Sequence, residues 1–227
     1  MTAPSRLVQS ARRLVAPVRP LLYRRRPFSV WGLERGTPVD RVYIEDFLSR
    51  HRRDIHGRVL EVKDRTYTER FGTGVERADV VDVDQENGLA TIVADLSAPE
   101  SLPAETFDCV ILTQTLQYVS DPASAVRNTW RALRPGGVVL ATVPCITHVE
   151  ARERATDRWR FTEASCRDLF GAAFAPQDVS IETRGNLAAA TAFLMGLAAE
   201  ELTRARLTQH DPDFPVVVLV RAVRSGS

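Results

Sequence analysis

Seven short apolar runs, most of them separated by a helical pattern, are the feature that most limits how this chain can fold. They are RVLEV (58–62), ADVVDVD (78–84), ATIVA (90–94), FDCVILT (107–113), VVLATV (138–143), a run over 179–183 and VVVLVRAV (216–223). A strand that is apolar throughout is covered on both faces, and this calls for a mostly parallel sheet between two layers of helices. Helical patterns occupy 40–51, 122–133, 162–174 and 187–202. Pro135-Gly136-Gly137 is a stop for the second helix, and Thr162 and Glu163 are caps for the third. The fourth is Ala-rich and apolar on more than one face, so it should be largely buried. The expected architecture is a doubly wound α/β domain spanning 37–227.

Residues 1–36 differ from this pattern. They hold Arg6, Arg12, Arg13, Arg19, Arg24, Arg25, Arg26 and Arg35 against one acid, Glu34. Leu7, Leu14, Val15 and Val18 recur at roughly helical spacing until Pro17 and Pro20 interrupt them. The segment reads as a basic arm, either solvated or packed on the domain. A lid over the site and an electrostatic contact with a membrane or an anionic substrate are its other readings.

Over the whole chain 30 basic residues nearly balance 29 acidic ones, which argues against a dedicated nucleic-acid binder. Cys109, Cys145 and Cys166 are scattered without metal-ligand spacing, as suits a disulfide-free protein of the reducing cytoplasm. No apolar run is long enough for stable membrane insertion, and the basic N-terminus lacks the continuous apolar stretch of a secretory signal.

The most specific stretch is ADLSAPESLPAETFDCVILTQTLQYVSDPASAVRNTWRALRPGGVVLATVP, residues 94–144. It combines an acid after a strand, a Phe-Asp pair opening the next strand, a Leu-x-x-Val turn, an Asp-Pro helix start and an Arg-x-Leu-x-Pro-Gly-Gly stop. In this order it resembles the third-to-fifth-strand segment of class I S-adenosylmethionine-dependent methyltransferases. GTPVDRVYIEDFL upstream and RWRFT downstream resemble a methyltransferase type 11-like bacterial group associated with glycan or specialised metabolism, extending the likeness over roughly 30–224. The resemblance implies a Rossmann-like seven-stranded sheet with an antiparallel last strand, and S-adenosylmethionine as cofactor.

It also implies site residues. Glu61, Asp64 and Tyr67 belong to the loop after the first strand. Asp84, with Asp82 as alternate, would accept the ribose hydroxyls. Asp95 would contact the adenine, Leu96 could pack on its face, and Gln114 would line the methyl-transfer pocket. On the acceptor side stand Tyr118, Arg158 and Trp159, with His148 as candidate base. For these residues, capping, rim packing or a structural clasp are the plainer alternatives. Cys145 lacks a partnered base and is a weak nucleophile candidate.

The first loop departs from the family pattern of acid-x-Gly-x-Gly: Lys63 and Arg65 fill both glycine positions. Glycine permits left-handed backbone there, and a lysine about 4 Å from a sulfonium would be repelled by roughly 4 kcal/mol unless it turned elsewhere. The expected function is O-methylation of a small-molecule or glycan-type acceptor. A catalytically inactive scaffold homologue and a cofactor-binding enzyme of non-methylating chemistry, such as a cyclisation, are the alternatives. A homodimer is among the states the sequence allows.

Overall fold

The computed structural model describes residues 26–226. The helix expected within 7–18 lies outside the described residues. All seven expected strands form: β1 (Gly57–Val62), β2 (Val75–Asp82), β3 (Ile92–Val93), β4 (Phe107–Thr113), β5 (Leu133–Pro144), β6 (Val179–Arg184) and β7 (Val217–Val223). They build one sheet in the order β3-β2-β1-β4-β5-β7-β6. The pairs among β1 to β5 are parallel, whereas β7 runs antiparallel to both β5 and β6.

The strands are apolar at successive positions because alternate residues enter two different cores. Leu60, Val110, Leu112, Val139 and Val220 point to one face, under α3 (Pro122–Ala132) and α4 (Glu163–Gly171). Val59, Cys109, Ile111, Leu140 and Leu219 point to the other, under α1 (Val39–Arg50) and α5 (Leu187–Leu194). Phe170 of α4 and Phe47 of α1 are almost wholly buried, each contributing about 1.5–3 kcal/mol of transfer free energy. Two shorter helices, α2 (Thr66–Phe71) and α6 (Arg204–Thr208), follow β1 and α5 respectively.

Local chemistry sets the helix ends. Asp121 caps α3 by accepting from Ala123 N and Ser124 N, with Pro122 at the first helical position. Thr162 caps α4 with Ser165 as the reciprocal partner, so the expected Glu163 is not the capping partner and instead pairs with Arg167 one turn on (2.6 Å).

The helix expected over 187–202 is shorter. It ends at Leu194, and Gly196 follows in a left-handed conformation (φ 68°). Residues 28–32 pass so close here that a Cβ on Gly196 would lie 1.9 Å from Ser29 O. Ser29 Oγ donates to Gly196 O (2.9 Å) and Phe28 N to Met195 O (2.8 Å). The end of the basic arm therefore packs where the helix would have continued. The helix is also less buried than expected, with Leu187 56% and Leu194 46% exposed.

Candidate functional site

β1 and β4 lie side by side at the centre of the sheet, with β2 and β3 continuing on one side and β5 on the other. The chain leaves β1 toward the α1 face and β4 toward the α3 face. A crevice at the carboxyl ends is the consequence of such a switch point. Both strands run straight into a left-handed residue that is not glycine: Lys63 (φ 75°) after β1 and Gln114 (φ 47°) after β4. That conformation costs a residue bearing a Cβ roughly 1–2 kcal/mol, and strain of this kind gathers at functional turns.

The turn after β1 is tied down from several sides. Lys63 N donates to Val81 O and Asp64 N to Val62 O, both at 2.9 Å. Asp64 Oδ1 accepts from Thr66 N (2.8 Å). Buried Glu61 accepts from Tyr67 N (3.0 Å), Thr68 N (2.8 Å) and Thr68 Oγ1 (2.7 Å), so its carboxylate holds the first turn of α2. Burial pushes the Glu61 carboxyl above its ordinary range, against these hydrogen bonds. Tyr67 sends its backbone to Glu61 while its ring stacks on Phe71 (6.2 Å). The first glycine position thus keeps its left-handed backbone with a lysine in place. At the second, Arg65 has φ −123° and simply precedes α2, so it carries no such strain.

Beyond β2 the acids are placed differently from each other. Asp82 ends the strand, and its Oδ2 accepts from Asn87 Nδ2 (2.7 Å), which also donates to Lys63 O (2.7 Å). Asp84 is exposed in the turn that follows, one oxygen accepting from Glu86 N (2.9 Å). Asn87 was not singled out from the sequence; an Asn in an Asn-Gly pair reads simply as a turn. Asp95 is exposed after β3 and accepts from Ser97 N (2.8 Å). Leu96 is 5% exposed and packed into the α3-side core.

After β4, Gln114 N donates to Thr142 O (2.9 Å), and Gln117 Nε2 donates to Gln114 O (2.8 Å). Residues 157–161 strap across this turn. Arg158 N donates to Gln117 O (2.8 Å), Arg158 Nη1 to Tyr118 O (3.1 Å) and Trp159 Nε1 to Val119 O (2.8 Å). Arg160 grips Asp157 with two hydrogen bonds of 2.5 and 2.9 Å. Arg158 and Trp159 therefore clasp the turn through these groups. Burial, then neighbouring Glu153, raises the Tyr118 hydroxyl above the usual phenol range.

After β5, the His148 ring lies against Trp31, with centroids 3.9 Å apart and planes tilted by 51°. Trp31 Nε1 donates to Glu150 Oε1 (2.5 Å), so the arm's last residues hold this loop. Burial lowers the His148 pKa, and Glu150 opposes that in part. Gln117 Oε1, Thr147 Oγ1 and His148 Nε2 are buried without a hydrogen-bond partner among the described residues. Buried polar atoms are normally paired; these three belong to the turns leaving β4 and β5, and Ser101 Oγ and Arg131 Nε are likewise unpaired elsewhere. The Cys145 thiol is pushed up to about 12 by burial and stays protonated.

A methyltransferase domain model matches residues 63–141, beginning at Lys63 and ending within β5. Over that third of the chain, the sequence is similar to the methyltransferase domain family. The solved structures it resembles share this fold. The [4+2]-cyclase SpnF is 19% identical, with 100% of this chain and 98% of that one covered at a TM-score of 0.55. A methyltransferase from Archaeoglobus fulgidus is 15% identical, with 81% and 94% covered at 0.51. The N-methyltransferase NodS from Bradyrhizobium japonicum, solved with S-adenosylhomocysteine, is 15% identical, with 93% and 98% covered at 0.50. No curated protein matches the sequence. Among the described residues no helix is long and apolar enough to cross a membrane.

Proposed function

We propose that this protein transfers a methyl group from S-adenosylmethionine to a hydroxyl of a small-molecule or glycan-type acceptor in the cytoplasm. The observation that carries the reading is the pair of left-handed residues, Lys63 and Gln114, that end the two strands flanking the switch point. Both stand at the carboxyl ends of their strands, where open α/β sheets take their ligands.

The residues fit the cofactor. Lys63 keeps the backbone conformation that glycine usually supplies, and its exposed side chain can reach outward to the cofactor's carboxylate instead of crowding the sulfonium. Asp84, or Asp82 two residues earlier, would accept the ribose hydroxyls, and Asp95 would meet the adenine. When bound, the cofactor supplies an electrophilic methyl group. Gln117, with its unpaired Oε1, would orient what lies in the crevice. His148 would take the acceptor's proton, since burial keeps its imidazole neutral near pH 7 and its Nε2 has no partner among the described residues.

The competing reading, a domain that has lost the cofactor, is favoured by the cationic side chain at Lys63. Calorimetric titration of wild type and Lys63→Gly with S-adenosylmethionine separates the two. Micromolar one-to-one binding by both proteins supports the proposal. Binding by Lys63→Gly alone means that the loop is disabled. Turnover of an acceptor with the labelled methyl group still on the cofactor would point to other chemistry.

A further inference from the structure

A cavity of about 670 Å³ lies over the carboxyl ends of β5 and β6. Cys145 and Ile146, the residues that leave β5, form part of its wall, and His148 follows two residues later. Phe161 from the α4-side core and Ala190 from the α5-side core both line it, so it sits between the two layers at the strand ends. Its size is that of a small-molecule site.

The lining chemistry is one-sided. Leu187, Leu194 and Phe214 border the cavity and are 44–56% exposed, an unusual concentration of large apolar side chains in one place. The hydroxyls of Thr162 and Thr183 are already engaged, with Ser165 N (3.1 Å) and His210 Nε2 (3.3 Å). Among the described residues that line it, two are charged, Glu163 and Asp213, and both are acids. Glu163 is paired with Arg167, whereas Asp213 forms no ion pair among the described residues.

We infer that this cavity holds the apolar body of the methyl acceptor, and that it selects a neutral or cationic acceptor over an anionic one. Apolar walls beside the strand ends bury a ring or a branched hydrocarbon, while Asp213 at the rim attracts a positive group and repels a negative one. The inference rests on the proposed methyl-transfer reading for the word acceptor. The cavity and its charge stand apart from it.

Two naphthalene probes test it on the full chain: 2-naphthylmethylamine, a cation at neutral pH, and 2-naphthoate, an anion. S-adenosylhomocysteine is titrated into the same samples. The amine is expected to bind one-to-one and at least tenfold more tightly than the carboxylate. Asp213→Asn should shrink that gap, and Ala190→Phe should weaken the amine at least tenfold while binding of S-adenosylhomocysteine persists. Leu194→Gln, on an exposed wall, should weaken the amine several-fold without risk to the core. Tighter binding of the carboxylate, or an amine affinity indifferent to both cavity variants, overturns the inference. Absence of amine binding in a protein that binds S-adenosylhomocysteine also overturns it and spares the cofactor reading. Amine binding at this cavity without S-adenosylhomocysteine binding would sink the cofactor reading alone.

Discussion

At the residue scale, Asp40 shows how an ionisable group can be read twice. In sequence it is an acid in the first turn of a helix, where the dipole favours a negative charge. In the fold it is half-buried, and burial pushes its carboxyl up to about 6. A raised acid contributes stability below its unfolded value, near 4, and that contribution is lost as the pH rises through about 6. Asp40→Asn should therefore gain on wild type between pH 4 and pH 8, measured as the difference in melting temperature at each pH. A difference that is flat across this range would contradict the assignment. His148 has the opposite shift. In the proposed reaction the neutral imidazole is the working form, and because burial lowers its pKa, kcat should be half-maximal at a pH below the ordinary histidine value. His148→Ala should lose about 10²–10⁴-fold in kcat with cofactor affinity unchanged.

At the scale of elements, the turn after β1 depends on one buried carboxylate. Glu61→Ala would leave Tyr67 N, Thr68 N and Thr68 Oγ1 without their acceptor. Loss of such bonds costs about 2–4 kcal/mol, to be read from urea unfolding, and cofactor affinity should fall with it because α2 no longer fixes the turn. A change under about 0.5 kcal/mol would mean that water replaces Glu61 without penalty.

The same scale shows what the sequence made legible. All seven strands were, the five central ones because burial on both faces writes a continuous apolar run, and so was α3, whose Asp121-Pro122 start is a strong local signal. The six residues of α2 were not, since one turn and a half carries no periodicity of its own and its cap, Glu61, lies five residues before its first residue. The length of α5 was misjudged because an apolar pattern persisted past Gly196, while the contact that ends the helix comes from residues more than 160 positions away. The strand ends that carry Asp82, Asp84, Asp95 and Gln114 fall where the motif context puts them. Asn87, Gln117 and Trp31 join these turns through hydrogen bonds that no local pattern announces.

For the whole molecule, the N-terminal end and the β5 loop behave as one unit. Residues 28–32 close against α5, and Trp31 then reaches across to His148 and Glu150. Trp31→Ala should expose His148, so the pH at which kcat is half-maximal should move upward toward the ordinary histidine value while the fold persists. An unmoved profile would show that Trp31 is packing only.

The sheet, the two strained turns and the unpaired polar atoms after β4 and β5 converge on one crevice, and a crystal structure with S-adenosylhomocysteine tests that convergence most directly. The account predicts electron density for the ligand beyond β1 and β4, with its ribose at Asp84 or Asp82 and its carboxylate within reach of Lys63. An empty crevice in crystals soaked with saturating ligand, or a ligand held elsewhere on the molecule, would contradict it.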